Sequence, residues 1–357
     1  MKRPDISIIL IVLILMILGI NVLYNALSIY RANSGAFFTG YLAIIALAFA
    51  VGIFFTFFDL DRIETISFQI ILIGIFALLI VLVPFIGKKV GGSRRWIHLI
   101  FFNVQPSEFV KLGLIIYLSS ILARKGDKVT AFAKGFLPPF IVSLAAVFLV
   151  MLEPDVGTSL LIMATAFAIF FYADVPVTYL ISTVLFSVPL FYIIVSGKAY
   201  IWYRIVGFLN PWDHKSGEGY HLVQSFKSFA LGGFFGSSFE GLLERSVTLP
   251  AATTDFVFAV AAQTMGFVGC TAIVLLFLAF LARGMRIVRR VGDPFRQYCA
   301  FGIVFSITFQ ALVNIAVVVG VFPTTGFTLP FVSYGNNSLI VTMAMVGILL
   351  NISREAA

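Results

Sequence analysis

The sequence has little charge, and this scarcity excludes a water-soluble protein. Only 11% of its 357 residues are charged, whereas 61% are hydrophobic, and the mean hydropathy is +1.07. A soluble domain carries about 25% charged residues. The composition therefore predicts an integral membrane protein. The net charge of +8 is scattered among apolar runs, so we attribute it to membrane topology and lipid headgroups and predict no nucleic-acid partner.

Cysteine and histidine are also scarce. The two cysteines, Cys270 and Cys299, fall in different predicted helices, and the three histidines lack the spacing of metal ligands. These residues support neither a disulfide nor a metal site. The glycines at 232–236 are not followed by the Lys-Ser/Thr pair of a nucleotide-binding loop, so no ATP site is predicted.

Long apolar runs dominate what is present. Ten of them are predicted to cross the membrane, because most approach the roughly 20 residues that a helix needs to span the hydrocarbon. The alternation typical of a barrel is absent, so we predict an all-α bundle in a single membrane domain, 1–357. The predicted spans are Ile8–Leu27, Phe37–Phe58, Ile66–Ile86, Pro106–Leu122, Phe136–Leu152, Gly157–Tyr172, Val177–Val195, Phe256–Leu281, Tyr298–Val319 and Ser338–Ile352.

The distribution of Lys and Arg predicts that both termini are cytoplasmic. The cluster from Arg283 to Arg296 in a short loop weighs most in this assignment. Apart from Arg31, the outer cations then fall in two loops, 87–105 and the large extracytoplasmic loop of about 196–255, between helices seven and eight. Either these loops are long enough to escape the positive-inside bias, or they hold an anionic ligand at the outer face.

Asp255 closes the larger loop and directly precedes the eighth apolar run. Its position predicts a carboxylate at the depth of the lipid headgroups. Two interpretations stay open. Asp255 is an ordinary helix N-cap, since Asp is preferred there, or it is a functional carboxylate.

Arginines beside aromatic residues mark the two outer loops. Arg94 and Arg95 lie between Gly91-Gly92-Ser93 and Trp96, and a guanidinium group suits phosphate oxygens. The alternative is an interfacial anchor with solvated charges. In the larger loop, aromatic and glycine residues indicate a structured element along the membrane surface, with a short amphipathic segment around Lys227.

Polar residues inside the apolar runs are candidates for a cavity or for structural support. Glu108 and Lys111 are three residues apart in the fourth span, and such a pair either faces a wet cavity or ties helices together. Gln310 and Asn314, four apart in the ninth span, can form hydrogen bonds across helices.

Two outer turns carry further polar groups. Glu153 and Asp155 flank Pro154, where they could hold a divalent cation, act as acid and base, or form a polar turn; two ligands do not define a metal site. The last outer loop, 322–338, is rich in turn formers and hydroxyls, includes Ser333, and is predicted to face the same side as Asp255.

Seven motifs occur in order along the chain: Gly-Gly-Ser-Arg-Arg-Trp at 91–96, Gln-Pro-Ser-Glu-Phe-Val-Lys at 105–111, Glu-Pro-Asp-Val-Gly-Thr at 153–158, Asn-Pro-Trp at 210–212, Gly-Tyr-His-Leu-Val-Gln-Ser at 219–225, Thr-Asp-Phe at 254–256 and Leu-Pro-Phe-Val-Ser-Tyr-Gly at 329–335. In this order they resemble the SEDS (shape, elongation, division and sporulation) family of the RodA/FtsW type over nearly the whole chain. The resemblance implies a ten-helix enzyme that polymerises lipid II on the outer face of the bacterial cytoplasmic membrane, with a class B penicillin-binding protein as its transpeptidase partner.

The resemblance also implies roles for individual residues. The family's essential acid falls on Asp255, which would act as general base on the acceptor 4-hydroxyl. A divalent cation, Mg²⁺ or Mn²⁺, would assist, although no closed ligand set is visible. The cations expected to bind the diphosphate and sugar are Arg94, Arg95, Arg204, Lys227 and Arg245; the residues expected to shape the cavity are Glu108, Lys111, Glu153, Asp155, Gln310, Asn314 and Ser333.

The chain departs from the family pattern near Asp255. Ala251, Thr253, Gln263 and Thr264 occupy positions that usually carry Glu or His, and Asn336-Asn337 replace the usual Gly-Gly. These changes put in doubt any mechanism that needs a second nearby acid. Two other functions therefore stay open: a lipid II flippase that uses Glu108 and Lys111 as a polar path, and a non-catalytic scaffold for the penicillin-binding protein. A role in elongation, division or sporulation is equally open.

Overall fold

The chain is nearly all helical. The computed structural model describes residues 3–30, 34–84, 87–90, 93–98, 103–196, 199–217, 219–237 and 251–356. The helices in these ranges are α1 (Ile6–Tyr30), α2 (Ser34–Phe57), α3 (Leu60–Thr65), α4 (Ser67–Leu82), α5 (Pro106–Lys125), α6 (Leu137–Leu152), α7 (Val156–Tyr172), α8 (Val177–Ser196), α9 (Ala199–Leu209), α10 (Tyr220–Gly232), α11 (Val257–Arg290), α12 (Pro294–Val318) and α13 (Asn336–Ala356).

Seven helices in the described ranges are long and apolar enough to cross a membrane: α1, α2, α5, α6, α11, α12 and α13. The apolar helices α4, α7 and α8 are shorter. Each predicted span overlaps one of these helices. The protein is therefore a multi-pass helical membrane protein.

The prediction of an all-α chain missed a small antiparallel sheet. Strands β1 (Gly87–Val90), β2 (Ser93–His98) and β3 (Asn103–Val104) pair in that order, with an irregular register between Lys88 and Lys89. The sheet packs against α4 and α5 in the segment predicted as the first basic loop. Strands this short give no alternation of apolar residues that a sequence pattern would reveal.

Two helices, α5 and α13, form the centre of the bundle. In each of them 83% of the most apolar stretch is buried, compared with 22% in α2. α5 contacts α4, α6, α7, α12 and α13, while α13 packs along α2. Exposed phenylalanines such as Phe54, Phe57 and Phe76 lie on the outer helices, as expected for side chains that face lipid.

The contact between α2 and α13 depends on two glycines. A Cβ atom added to Gly347 would lie 2.2 Å from the carbonyl oxygen of Gly52. Small residues allow the backbones of membrane helices to approach closely, where van der Waals contact stabilises their packing.

Replacing Gly347 with Ala is expected to destabilise the protein by about 1–3 kcal/mol, because α2 and α13 must move apart. The measurement is the thermal unfolding temperature of purified protein in detergent. Gly292→Ala is the matched control, since a Cβ at Gly292 meets no atom within 4 Å. Equal unfolding temperatures for the two variants would contradict the close packing.

Residues from both ends of the chain lie together at one end of the bundle. The backbone N–H of Asp5 donates to Ser353 Oγ at 3.0 Å, and Arg296 pairs with Glu355 at 3.2 Å. We call this the terminal end. Asp255 and the sheet lie at the opposite end, here the sheet end, since α11 runs from beside Asp255 to Arg283, which pairs with Asp5.

α11 is broken at Gly266, although the sequence predicted a continuous span. Gly266 has φ 65° and ψ −163°, and the chain after α10 packs against this break. Amides that the break would leave unpaired donate to that chain instead: Phe267 N–H to Gly233 O at 3.0 Å, and Val268 N–H to Phe234 O at 3.2 Å. A single glycine in an apolar run gives no reliable signal of such a break.

Candidate active site

A large cavity lies at the sheet end of the bundle. Its volume is about 960 Å³, within the range of small-molecule sites. Its wall includes β2, the start of α5, the turn before α7, and the loop between α12 and α13. Among the residues that line it are Arg95, Trp96, Asn103, Glu108, Asp155, Arg204, Asp255, Gln310, Thr325, Thr328, Asn336 and Asn337.

Asp255 lies in a turn formed by residues 251–256. The amides of Thr254 and Phe256 both donate to Ala251 O, at 3.1 and 3.3 Å, and Ala251 has a left-handed φ of 56°. The N-cap of α11 is Phe256, without a side-chain capping bond. The N-cap interpretation of Asp255 is therefore wrong, and its carboxylate lines the cavity instead.

The predicted polar residues Asn314 and Ser333 hold this turn from outside. Asn314 Nδ2 donates to Asp255 O at 2.8 Å, and Ser333 Oγ donates to Thr254 O. The Tyr334 amide donates to Thr253 O at 2.8 Å. All three bonds end on backbone carbonyl oxygens, so they fix the position of Asp255 and leave its carboxylate available.

The surroundings of Asp255 make its carboxyl a weaker acid. Burial raises its pKa to about 6; a hydrogen bond from Thr254 and the positive charges of Arg204 and Arg95 oppose that rise, whereas Asp155 adds to it. A carboxylate with this pKa is largely ionised at pH 7 and accepts a proton more readily than an exposed Asp.

Arg95 connects the sheet to the turn that contains Asp155. Its Nε donates to Glu153 O at 3.1 Å, its Nη2 donates to Pro154 O, and Nη1 lies 3.5 Å from Asp155 Oδ2. Asp155 also caps α7, accepting from Thr158 N–H at 3.1 Å. Arg95 and Asp155 thus form a fixed charged pair on the cavity wall.

Arg204 approaches Asp255 from the large loop. It lies on α9, donates from Nη1 to Thr324 O at 3.2 Å, and lines both the large cavity and a second one of about 110 Å³. The smaller cavity also includes Asp255, Asn314 and Ala251. Asp255 is therefore reached from two sides.

Glu153 and Asp155 have different surroundings, although only Pro154 separates them. Glu153 is fully buried, its carboxyl oxygens have no hydrogen-bond partner, and it is absent from the described lining of the cavity. Burial, with the nearby Asp155 adding to it, raises the pKa of Glu153 to about 8, while Arg95 opposes this rise. A carboxyl group that is mostly protonated at pH 7 is a poor ligand for a divalent cation.

Metal binding at this site would depend on few protein groups. Within the described ranges, no group of three or more His, Cys, Asp or Glu residues is placed to hold a metal ion. Three carboxylates among the described residues line the cavity: Glu108, which is paired with Lys111, and Asp155 and Asp255, which have no lysine partner. Mg²⁺ commonly uses one or two carboxylates together with substrate phosphates, so these two residues fit that mode of binding.

A buried polar network forms one wall of the cavity. Lys111 Nζ donates to Glu108 Oε2 at 2.8 Å and to Gln310 Oε1 at 3.0 Å. Gln310 Nε2 in turn donates to Thr328 O at 3.0 Å. The network joins α5, α12 and the 322–335 loop, and Glu108 and Gln310 also line the cavity.

Comparison with known proteins identifies the family. The family model described as "Cell cycle protein", FtsW/RodA/SpoVE, matches residues 5–357. The chain belongs to this family. The resemblance to the SEDS proteins is thereby confirmed.

Individual SEDS proteins match over nearly their whole length. Stage V sporulation protein E of Bacillus subtilis is 35% identical over 98% of this chain and 97% of its own. The probable peptidoglycan glycosyltransferase FtsW of Trichlorobacter lovleyi is 36% identical over 98% and 93%.

Solved structures share the fold as well. One similar chain comes from the structure of a peptidoglycan synthase complex that coordinates polymerization and crosslinking. Its TM-score is 0.84 at 26% identity, and the match covers 99% of this chain and 98% of that one. The rod shape determining protein RodA of Thermus thermophilus has a TM-score of 0.74 at 26% identity, covering 99% and 97%.

The SEDS chain brings only some of its predicted cations to the cavity. Arg95 and Arg204 line it, whereas Arg94 and Lys227 are absent from its lining in the part of the chain that the structure describes. Lys227 is exposed on α10. The prediction for Arg245 lies outside the described residues.

Four of the six departures from the SEDS pattern fall into two groups. Gln263 and Thr264 lie on the first half of α11 and are absent from the described lining of both cavities; Thr264 Oγ1 bonds to Val260 O at 2.8 Å. Asn336 and Asn337, by contrast, line the large cavity. Asn337 Nδ2 donates to Asn103 O at 2.9 Å and so connects α13 to the sheet.

Two residues with unused polar atoms in this cavity were not among the predicted site residues. Thr325 Oγ1 and Asn336 Oδ1 are buried without a hydrogen-bond partner in the described structure, and both residues line the cavity. Such atoms normally bond to something, so they are candidates for contacts with a ligand. The signal lay in the polar composition of the 322–338 loop, where Ser333 was predicted as a site residue and Asn336 was noted only as a departure from the family pattern.

Proposed function

We propose that this SEDS protein is a peptidoglycan glycosyltransferase that polymerises lipid II into β-1,4 glycan strands. The observation that carries this proposal is the cavity that places Asp255 with Arg95 and Arg204 at one end of a membrane bundle. The names of full-length relatives, probable peptidoglycan glycosyltransferases, support it. Asp255 acts as the general base of the reaction.

The reaction joins an acceptor sugar to a donor whose leaving group is a lipid diphosphate. Asp255 takes the proton of the acceptor 4-hydroxyl, whose oxygen attacks the anomeric carbon of the donor. A new carbon–oxygen bond forms as the bond to the diphosphate breaks, and the α-linked carbon inverts to β. The proton then leaves Asp255 for water, and the diphosphate carries away the electron pair of the broken bond.

Positive charge stabilises the diphosphate as it leaves. Arg204 and Arg95 are the cations of the cavity wall whose charges lower the pKa of Asp255. Both are oriented by hydrogen bonds to backbone carbonyls. Preorganised donors of this kind lower the barrier because they need no rearrangement as charge develops. A divalent cation held by Asp255 or Asp155 would supply further positive charge to the diphosphate.

The setting of this reaction is the outer face of the bacterial cytoplasmic membrane. Ten spans, with both termini in the cytoplasm, put the sheet end outside, and the contact between Asp5 and Ser353 supports an even number of crossings. A class B penicillin-binding protein is the proposed partner. The structural similarity to a chain of a peptidoglycan synthase complex supports this pairing.

The polar network argues against a flippase. Lys111 is only 2% exposed, and its amine is bonded to both Glu108 and Gln310. A polar translocation path would need Lys111 to face water together with Glu108 and Gln310, which line the cavity. The amine of Lys111 is instead held inside the bundle by those two residues.

Glycan strands are expected from purified lipid II, and their rate of formation should fall as the pH drops through about 6. The base must be ionised, and its raised pKa moves the loss of activity upward from the ordinary Asp value of 3.8. The measurement is kcat/KM against pH for the wild-type protein, with and without the partner.

Thermal unfolding is recorded at every pH, so that loss of the fold is not mistaken for loss of activity. A variant at a distant residue is assayed in parallel and should show the same pH dependence as wild type. No polymer under any partner condition would contradict the glycosyltransferase proposal. Full activity retained down to about pH 4 would leave that proposal intact but reject Asp255, with its raised pKa, as the base.

A further inference from the structure

Four arginines surround a further, separate cavity at the terminal end of the bundle. Arg3 precedes α1, while Arg283, Arg286 and Arg290 follow one face of the last turns of α11. We call this cavity the arginine pocket. Its volume is about 70 Å³, and it is lined by Arg3, Asp5, Arg283, Arg286, Ile287, Arg290 and Ser353.

The positive charge of the arginine pocket is not balanced by the residues that the structure describes. Among those that line the pocket, Asp5 is the one carboxylate, and both of its oxygens are used: Oδ2 accepts from Arg283 at 2.8 Å, and Oδ1 accepts from the amides of Ser7 and Ile8. Among the described residues, no carboxylate pairs with Arg3, Arg286 or Arg290. The pocket therefore has three more cations than anions.

One donor in the pocket is buried without a partner. Arg283 Nε has no hydrogen bond in the described structure and is shielded from solvent. A buried charged donor without a partner costs free energy, which an acceptor bound in the pocket would recover. An anion with several oxygens suits both this donor and the neighbouring guanidinium groups.

The position of the pocket indicates which anion it meets. α11 begins beside Asp255, is broken at Gly266 and ends at the arginine pocket, and its 34 residues are long and apolar enough to cross a membrane. The pocket therefore lies at the opposite membrane surface, between α1, α11 and α13. Basic pockets between membrane helices bind the headgroups of acidic lipids.

We propose that the arginine pocket binds the phosphate group of an anionic phospholipid, in the leaflet opposite to Asp255. The lipid phosphate bridges Arg286 and Arg290 of α11 and Arg3 before α1, and a small shift of the Arg283 side chain lets its Nε donate to one of the phosphate oxygens. The acyl chains extend along the apolar surface of the bundle. This site does not depend on the proposed glycosyltransferase activity.

The test compares lipid binding by two double variants of the full chain. Arg286→Gln with Arg290→Gln removes two charges from the pocket. Arg62→Gln with Arg289→Gln removes two charges at the same end, on exposed residues outside the pocket lining. Binding of phosphatidylglycerol is measured by native mass spectrometry and by thermal shift, with phosphatidylcholine as the neutral lipid.

The pocket variant is expected to bind phosphatidylglycerol about tenfold more weakly or worse, since it loses charge-assisted hydrogen bonds, while the control variant stays close to wild type. Equal weakening in both variants would show a general charge effect and overturn the proposal. So would equal binding of phosphatidylglycerol and phosphatidylcholine by wild type.

A further arm distinguishes a lipid from a soluble phosphate. Inorganic phosphate and glycerol 3-phosphate are added to lipid-depleted protein in place of phosphatidylglycerol. A thermal shift with phosphatidylglycerol alone supports the lipid site, whereas an equal shift with inorganic phosphate overturns it in favour of a soluble anion. Unfolding temperatures in phosphatidylcholine establish that both variants fold.

Discussion

Replacement of Asp255 by Asn is expected to lower the rate of glycan polymerisation by about 10²- to 10⁴-fold, the usual contribution of a general base. Asn has nearly the same shape as Asp, and the bonds that hold this turn end on backbone atoms of residues 253–255. The variant should therefore fold, and lipid II should still bind. The measurement is the initial rate of strand formation from purified lipid II.

Asp174→Asn is the matched control for this experiment. Asp174 is exposed after α7, in a left-handed conformation with φ 58° that Asn also tolerates. Its activity should equal that of wild type. If Asp255→Asn also polymerised at the wild-type rate, Asp255 would not be the base; if it moved lipid II across vesicles without polymerising it, a flippase would be favoured.

Replacement of Lys111 by Met is expected to destabilise the protein by about 3–5 kcal/mol, because it leaves the carboxylate of Glu108 buried without its partner. Lys111 is 2% exposed and also donates to Gln310. The unfolding temperature should therefore fall, and the cavity wall should lose its fixed arrangement. Lys128→Met, at an exposed lysine, is the control and should change neither.

A second replacement separates the role of charge from that of packing. In Lys111→Met combined with Glu108→Gln, no charge remains unpaired, so much of the lost stability should return. Thermal unfolding of the single and double variants gives the coupling between the two residues. A double variant as unstable as the sum of its singles would mean that the ion pair is not what stabilises this wall.

The membrane helices could be predicted because their signal is local. Apolar runs of about 20 residues are visible without any knowledge of tertiary contacts. The break in α11 depends instead on carbonyl groups of residues 233 and 234, which a distant segment supplies. No local pattern at Gly266 distinguishes a broken helix from a continuous one.

The candidate site was predictable only where single residues carried the signal. Asp255 could be identified because it is a charged residue directly before a long apolar run. The sequence could not show which of Arg94 and Arg95 reaches the cavity. Both lie on β2, where successive side chains point to opposite faces of the sheet. The neighbouring strands, the two-residue β3 and the irregular β1, give no pattern from which β2 could be predicted. Which hydroxyls and amides of the 322–338 loop face the cavity depends on backbone turns that composition does not reveal.

The way in which the turn around Asp255 is held also determines which sequence changes this protein tolerates. Asn314, Ser333 and Tyr334 donate hydrogen bonds to the backbone carbonyl oxygens of Asp255, Thr254 and Thr253. Ala251 and Thr253 can therefore differ from their relatives while Asp255 stays in place. Substitutions at these two positions would change the chemical surroundings of the carboxylate but keep the backbone hydrogen bonds that position it. The neighbouring side chains can therefore vary in evolution.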